Sequence, residues 1–191
     1  MPLWLMIGAP LGLLTVLFGS KAKAAATTLI SSSAYLKEPQ WSKYDALFKK
    51  YGTQYGVDWK WLKAISMNES GIGTHPSVVL GLKEPNNPKS VSDDKKSWGL
   101  MQILVSTAND FMKGATFADL NNPETAVKIA AQLFAAHKKW FPKDSGNALM
   151  EKVVKSYNQG AGNTLKGKTY ADTYWDRFQR NLKIVNDKQP G

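Results

Sequence analysis

The sequence predicts an all-α (or α-rich) domain behind an N-terminal apolar helix. Three observations carry that prediction. Apolar residues recur every three or four positions through most of residues 41–187. Capping residues stand where those runs begin and end, and no segment shows two-residue alternation between hairpin turns.

The elements follow in order. Tyr44, Leu47, Phe48, Tyr51 and Tyr55 form the first stripe, and Gly56 closes that helix. Asp58 is a good N-cap for a second helix, in which Leu62, Ile65 and Glu69 share one face. Thr107 is placed to cap a short helix through Phe111. Asn122 before Pro123 and Glu124 is a strong start signal, since proline fits a first helical turn that needs no donor there. The long helix that follows turns Val127, Ala130, Phe134 and His137 inward. Another is predicted from about Asn147 to Tyr157. The last carries Tyr170, Tyr174, Phe178, Leu182 and Val185 at spacings of four, four, four and three.

Ahead of this domain, residues 1–19 are a signal or transmembrane segment, because Leu3 to Phe18 is uncharged and mostly apolar. As a helix those residues span about 24 Å, slightly less than a hydrocarbon core. Two readings fit. Ala22-Lys23-Ala24 and Ala24-Ala25-Ala26 offer small-residue cleavage sites for a secretory signal, and the same run also serves as an uncleaved anchor. Lys21 and Lys23 follow the run and no cation precedes it, the reverse of the bias expected for an exported C-terminal domain. Residues 20–40, rich in Ala, Thr and Ser, read as a linker, 41–187 as the folded domain and 188–191 as a tail.

Composition excludes several classes. The 191 residues contain no cysteine, so a lipoprotein anchor, a zinc–thiolate site and a thiol nucleophile are all absent. His75 and His137 are the only histidines, too few for a His-rich metal site, and His137 sits on an apolar stripe where packing is its expected role. No nucleotide-binding fingerprint and no Ser-His-Asp motif is present. No metal or cofactor is expected. Twenty-five Lys+Arg against 15 Asp+Glu give a formal charge of +10, which suits polyanionic partners. Nearly all of those cations are scattered lysines, whereas arginine is the usual base reader, so no specific nucleic acid is expected.

One carboxylate is misplaced for a solvated helix. Glu69 lies seven residues after Leu62 and four after Ile65, on the apolar stripe, and Gly71 ends the helix just beyond it. Desolvation and the negative end of the helix dipole both make such a group hold its proton more tightly. That is the requirement for a general acid near neutral pH.

Around Glu69 stand ordered motifs: Tyr-Gly-Val-Asp at 55–58, Glu69-Ser70, Gly99-Leu100-Met101-Gln102, and Ser156-Tyr157-Asn158-Gln159-Gly160-Ala161-Gly162. Asp119-Leu120, Pro123-Glu124 and Thr173-Tyr174 agree in order. Together these resemble the soluble lytic transglycosylase family, with its goose-type lysozyme-like fold, over about residues 44–185. The resemblance implies cleavage of the β-1,4 bond between N-acetylmuramic acid and N-acetylglucosamine, with Glu69 as the catalytic acid. Ser70 would orient it or contact sugar. Gly99, Leu100, Met101 and Gln102 would wall the cleft, the glycine letting backbone approach substrate. Tyr157 and Asn158 would face Glu69, with Tyr157 able to hydrogen-bond its carboxyl group, and Tyr174 would close the same side.

In that family a single acid makes both proton transfers and the product is a 1,6-anhydro sugar, while hydrolytic relatives activate water with a second carboxylate. Here the stretch between Glu69 and Gly99 is longer than the family's usual one, and it holds Asp93 and Asp94. These are the candidates for a second carboxylate, in which case the enzyme would be a hydrolytic muramidase. Val105 also replaces the proline usual after the third motif. Trp98 is a candidate for stacking on sugar, whereas Trp59, Trp61 and Trp140 read as core. A third reading is an inactive wall-binding or basic nucleic-acid-binding module that kept the fold without the activity. The partners expected are peptidoglycan glycan strands, the membrane if residues 3–18 are retained, and a secretion, conjugation or phage assembly. The expected location is the periplasm, a membrane-anchored position facing the wall, or a phage particle.

Overall fold

The structure is a computed structural model, and it describes residues 34–75, 78 and 97–189. The apolar run at 3–18 and the pair Asp93-Asp94 lie outside the described residues. Among the described residues no helix is long and apolar enough to cross a membrane.

Eight α-helices and one two-stranded hairpin make up the described chain. A short 3-10 turn at Ala34–Leu36 precedes α1, Asp45–Tyr55, which ends on left-handed Gly56. Asp58 caps α2, Trp59–Ser70, by accepting from the Lys60 N–H at 2.9 Å. The hairpin pairs β1, Ser97–Trp98, antiparallel to β2, Ile103–Leu104. Strands of two residues are too short to show alternation, so the sequence carried no strand signal. Next comes α3, Val105–Asn109, which begins without a side-chain cap and two residues before Thr107, the cap expected from sequence.

Thr116 and Asp119 cap α4, Phe117–Asn121, reciprocally. Asn122 accepts from both Glu124 N–H and Thr125 N–H at the start of α5, Pro123–Lys139, as its start signal predicts. Then follow α6, Gly146–Gln159, and α7, Ala161–Leu165. The final helix, α8, is Asp172–Lys188. Tyr170 falls before it and is 65% exposed, so the predicted stripe begins at Tyr174 instead. Trp140, read as core, is 56% exposed just past the end of α5.

The core gathers one face of each long helix: Phe48 of α1, Leu62 and Ile65 of α2, Val127, Ala130 and Phe134 of α5, Val153 of α6 and Phe178 of α8. Helix α2 is the centre of this arrangement, packed by α1 on one side and α8 on the other. A smaller cluster of Trp41, Met67, Ile72 and Val185 seals the far end of α2 and takes in Tyr35 and Leu36. Residues 34–40, the end of the stretch read as a linker, are therefore folded onto the domain. Gln40 also donates its amide to the Ile72 carbonyl.

Lys63 departs from the apolar pattern of α2. It is fully buried, donates to Asp45 Oδ1 at 2.7 Å and Gln189 Oε1 at 3.0 Å, and lies 3.7 Å from the Trp41 ring centre. A buried ammonium needs such a set of partners to offset its lost hydration.

Candidate active site

Two backbone signals place Glu69. Asp58 sets where α2 begins, and left-handed Gly71 ends it by returning its N–H to the Met67 carbonyl at 3.3 Å. Between those limits Leu62 and Ile65 are wholly buried, and Glu69 continues their stripe to the edge of the core, half-buried. Burial pushes its carboxyl up to about 7. Two groups pull the other way. The Tyr174 hydroxyl donates to Glu69 Oε1 at 2.5 Å, and the positive charge of Arg177 favours the carboxylate. Desolvation outweighs both, so the group is poised to give or take a proton at neutral pH. Tyr174 is itself raised well above its ordinary value by burial and by the neighbouring carboxylate, and it remains a donor throughout.

The hairpin turn is held against the end of α2. Ser70 is 2% exposed and donates to the Leu100 carbonyl at 2.7 Å, while accepting from the Gly73 N–H at 2.9 Å. That placement fastens the turn beside Glu69 rather than offering a hydroxyl to a sugar. Leu100 and Met101 point into the core. Gly99 is required by the protein's own packing. Its φ is +71°, and a Cβ there would stand 1.8 Å from the Leu120 carbonyl oxygen. Gln102 is half-buried, with φ +46°, and turns its amide back to the Gly99 carbonyl at 2.8 Å.

The two tyrosines exchange the roles expected of them. Tyr157 does not bond the carboxyl group; its hydroxyl donates to the Met101 carbonyl at 2.7 Å and its ring packs on Phe134. Burial raises its proton affinity well above the ordinary value, and the nearby Glu69 carboxylate adds to that. Tyr174 is the residue in contact. Asn158 is half-buried and its side-chain amide has no hydrogen-bond partner among the described residues. Trp98, the stacking candidate, is 3% exposed and tilted against Phe117, so its ring belongs to the core. His75 is half-buried, and burial lowers its proton affinity.

Three residues of this region carry no signal in the sequence: Asn68, Arg177 and Asn181. Asn68 bonds the Tyr174 carbonyl at 3.2 Å and accepts from Asn181 at 2.6 Å. The Arg177 guanidinium lies 5.7 Å from the Tyr174 ring centre. Each matters through which helices face each other. Only the seven-residue spacing from Tyr174 to Asn181 places two of these partners on one face in advance.

The geometry is thus one proton-holding carboxyl at a helix end, a tyrosine donor upon it, and a glycine-dependent turn fastened alongside. The chain matches the transglycosylase SLT domain family over residues 46–177, well over half its length. The helix-rich fold agrees with the lysozyme-like architecture expected from the motifs. This chain therefore belongs to the SLT family, the peptidoglycan lytic transglycosylases.

Proposed function

We propose that the chain cuts the β-1,4 bond between N-acetylmuramic acid and N-acetylglucosamine, with Glu69 as the single acid and base. Glu69 gives its proton to the glycosidic oxygen as the C1–O bond breaks, leaving an oxocarbenium-like muramic residue and a carboxylate. The muramic 6-hydroxyl oxygen then closes on C1 while its proton returns to Glu69. The product is a 1,6-anhydro end, no water is consumed, and the carboxyl is restored. Tyr174 steadies the carboxylate between the two transfers, and Arg177 adds positive charge on the same side. Asn158 is the amide offered to sugar, and Gln102, whose Nε2 is given to the Gly99 carbonyl, keeps its amide oxygen for that role.

The observation that carries this reading is the half-buried Glu69 carboxyl at the end of α2 with the Tyr174 hydroxyl donating to it at 2.5 Å, a setting in which burial pushes the carboxyl up to about 7. Among the described residues, the charged or titratable groups acting on Glu69 are Tyr174 and Arg177. The deciding experiment is mass spectrometry of muropeptides released from purified sacculi by the chain and by Glu69→Gln. Anhydromuramic ends from the wild type and none from Glu69→Gln are expected. Reducing ends, heavier by one water, would replace this mechanism with hydrolysis and direct mutation to Asp93 and Asp94.

The proposed setting is outside the cytoplasmic membrane, at the wall, with residues 3–18 directing export or tethering the enzyme for local opening. Fractionation of cells expressing the full chain tests this, and recovery in the cytosol alone would overturn it.

A further inference from the structure

Asn68 stands one residue before Glu69 on α2, and Asn181 stands two helical turns beyond Tyr174 on α8. Asn181 Nδ2 donates to Asn68 Oδ1 at 2.6 Å, and Asn68 Nδ2 donates to the Tyr174 carbonyl oxygen at 3.2 Å. A main-chain carbonyl can only accept, so the Asn68 amide nitrogen must face it and the amide oxygen must face Asn181. The Tyr174 hydroxyl then reaches the very next residue of α2, Glu69, at 2.5 Å. Three hydrogen bonds therefore join the same two helices, and Tyr174 is held at both its main chain and its hydroxyl by consecutive residues.

Apolar packing of α8 on α2, through residues such as Phe178 and Ile65, sets how closely the helices lie. It is non-directional and sets their register weakly. A slide of about 3 Å along the helix axis would take a hydroxyl out of hydrogen-bond range. The amide pair resists that slide because both of its bonds are directional and both amides are half-buried.

We infer that Asn68 is a positioning residue for the reaction, which together with Asn181 fixes the register of α8 on α2 so that the Tyr174 hydroxyl stays on the Glu69 carboxyl. The inference rests on Glu69 being the catalytic acid. Its chemical consequence follows from what Tyr174 does: a donor on the carboxyl favours the charged form, which is the state left after the first proton transfer. Releasing Tyr174 makes Glu69 a weaker acid. Among the described residues, the groups that act on Glu69 are Tyr174 and Arg177 from α8, while Tyr157 from α6 lies near enough to feel its charge. Among the described residues, α1 and α5, the other helices packed on α2, add none.

The test is the pH dependence of kcat/KM on purified sacculi for the full chain. The variants are Asn68→Ala, Asn181→Ala, Tyr174→Phe and the double variant Asn68→Ala/Tyr174→Phe, with Glu69→Gln alongside. Asn68→Ala should lower kcat about tenfold with KM little changed. It should move the alkaline limb of the profile upward by about half a pH unit. In the double variant it should add nothing to Tyr174→Phe, because it acts through that residue. A limb that does not move, or losses that simply add, would overturn the inference. If Asn68→Ala does not fold, Asn181→Ala removes one of the three bonds and should shift the same limb by a smaller amount; no shift there overturns the inference equally. Retained activity in Glu69→Gln would instead strike down the proposed mechanism itself. A dead Glu69→Gln beside an unshifted Asn68→Ala strikes down only the role of Asn68.

Discussion

Two titratable side chains lie in the last turns of long helices, Glu69 in α2 and His137 in α5, and burial drives both toward their neutral forms. Glu69 is pushed up to about 7, and His137 is pushed down to about 4. What separates them is the company each keeps. Glu69 remains half open at the edge of the core and receives a tyrosine donor and an arginine charge. His137 is 8% exposed, opposed only by a bond to the Val153 backbone, and its Nδ1 has no partner among the described residues. A shifted proton affinity thus marks both a reaction centre and a packed core residue. Access and directional partners tell them apart.

The sharpest way to break this contrast is at Glu69. Glu69→Gln should reduce glycan cleavage about a thousandfold, within the range usual for losing a general acid. His137→Leu should leave it within about twofold, read as soluble muropeptide release, since it removes nothing the reaction touches. Comparable losses in the two variants would erase the distinction.

Next in size is Tyr174→Phe. It should lower kcat by roughly ten- to a hundredfold and shift the alkaline limb upward, because the carboxylate loses a donor that favours it. Tyr157→Phe should leave that limb in place, since its hydroxyl serves the Met101 carbonyl instead. A limb shift in Tyr157→Phe equal to that of Tyr174→Phe would mean that both hydroxyls act on the carboxyl.

The remaining effects are on stability rather than rate, and their signs are opposite. The Glu69 proton affinity is raised on folding, from 4.5 to about 7, so its contribution is fully present below about pH 4.5 and lost as pH rises through 7. That of His137 is lowered, from 6.5 to about 4, so stability is present above pH 6.5 and falls as pH drops toward 4. Each shift corresponds to on the order of 3 kcal/mol. Between pH 4.5 and 6.5 the two slopes oppose, and the wild-type chain conceals both. Urea unfolding of Glu69→Gln should show a gain over wild type above pH 7 that vanishes near pH 4.5. His137→Leu should instead lose part of the wild-type decline between pH 6.5 and 4. Parallel curves for variant and parent across the range would remove the electrostatic account of either site.

Much of the site could be read without coordinates because its signals are local. Asp58, Gly71 and the 3–4 spacing of Leu62 and Ile65 suffice to place Glu69 at a helix end on an apolar face. The ordered motifs pointed to the family. The hairpin was not legible, since two-residue strands lack a period, and the reason for Gly99 lies in the Leu120 carbonyl, far away in sequence. Lys63 reads as a break in the stripe until Asp45, Gln189 and Trp41 are seen around it.

Caps, periodicity and composition belong to neighbouring residues, and so the helices, the all-α class and the unusual position of Glu69 follow from the order of residues alone. Which tyrosine reaches the carboxyl does not. Tyr157 and Tyr174 are equally plausible as residue types, and the choice between them depends on how α6 and α8 are rotated and shifted against α2. Those are distances between segments about a hundred residues apart, set by the filling of one shared core and by the amide pair at its edge.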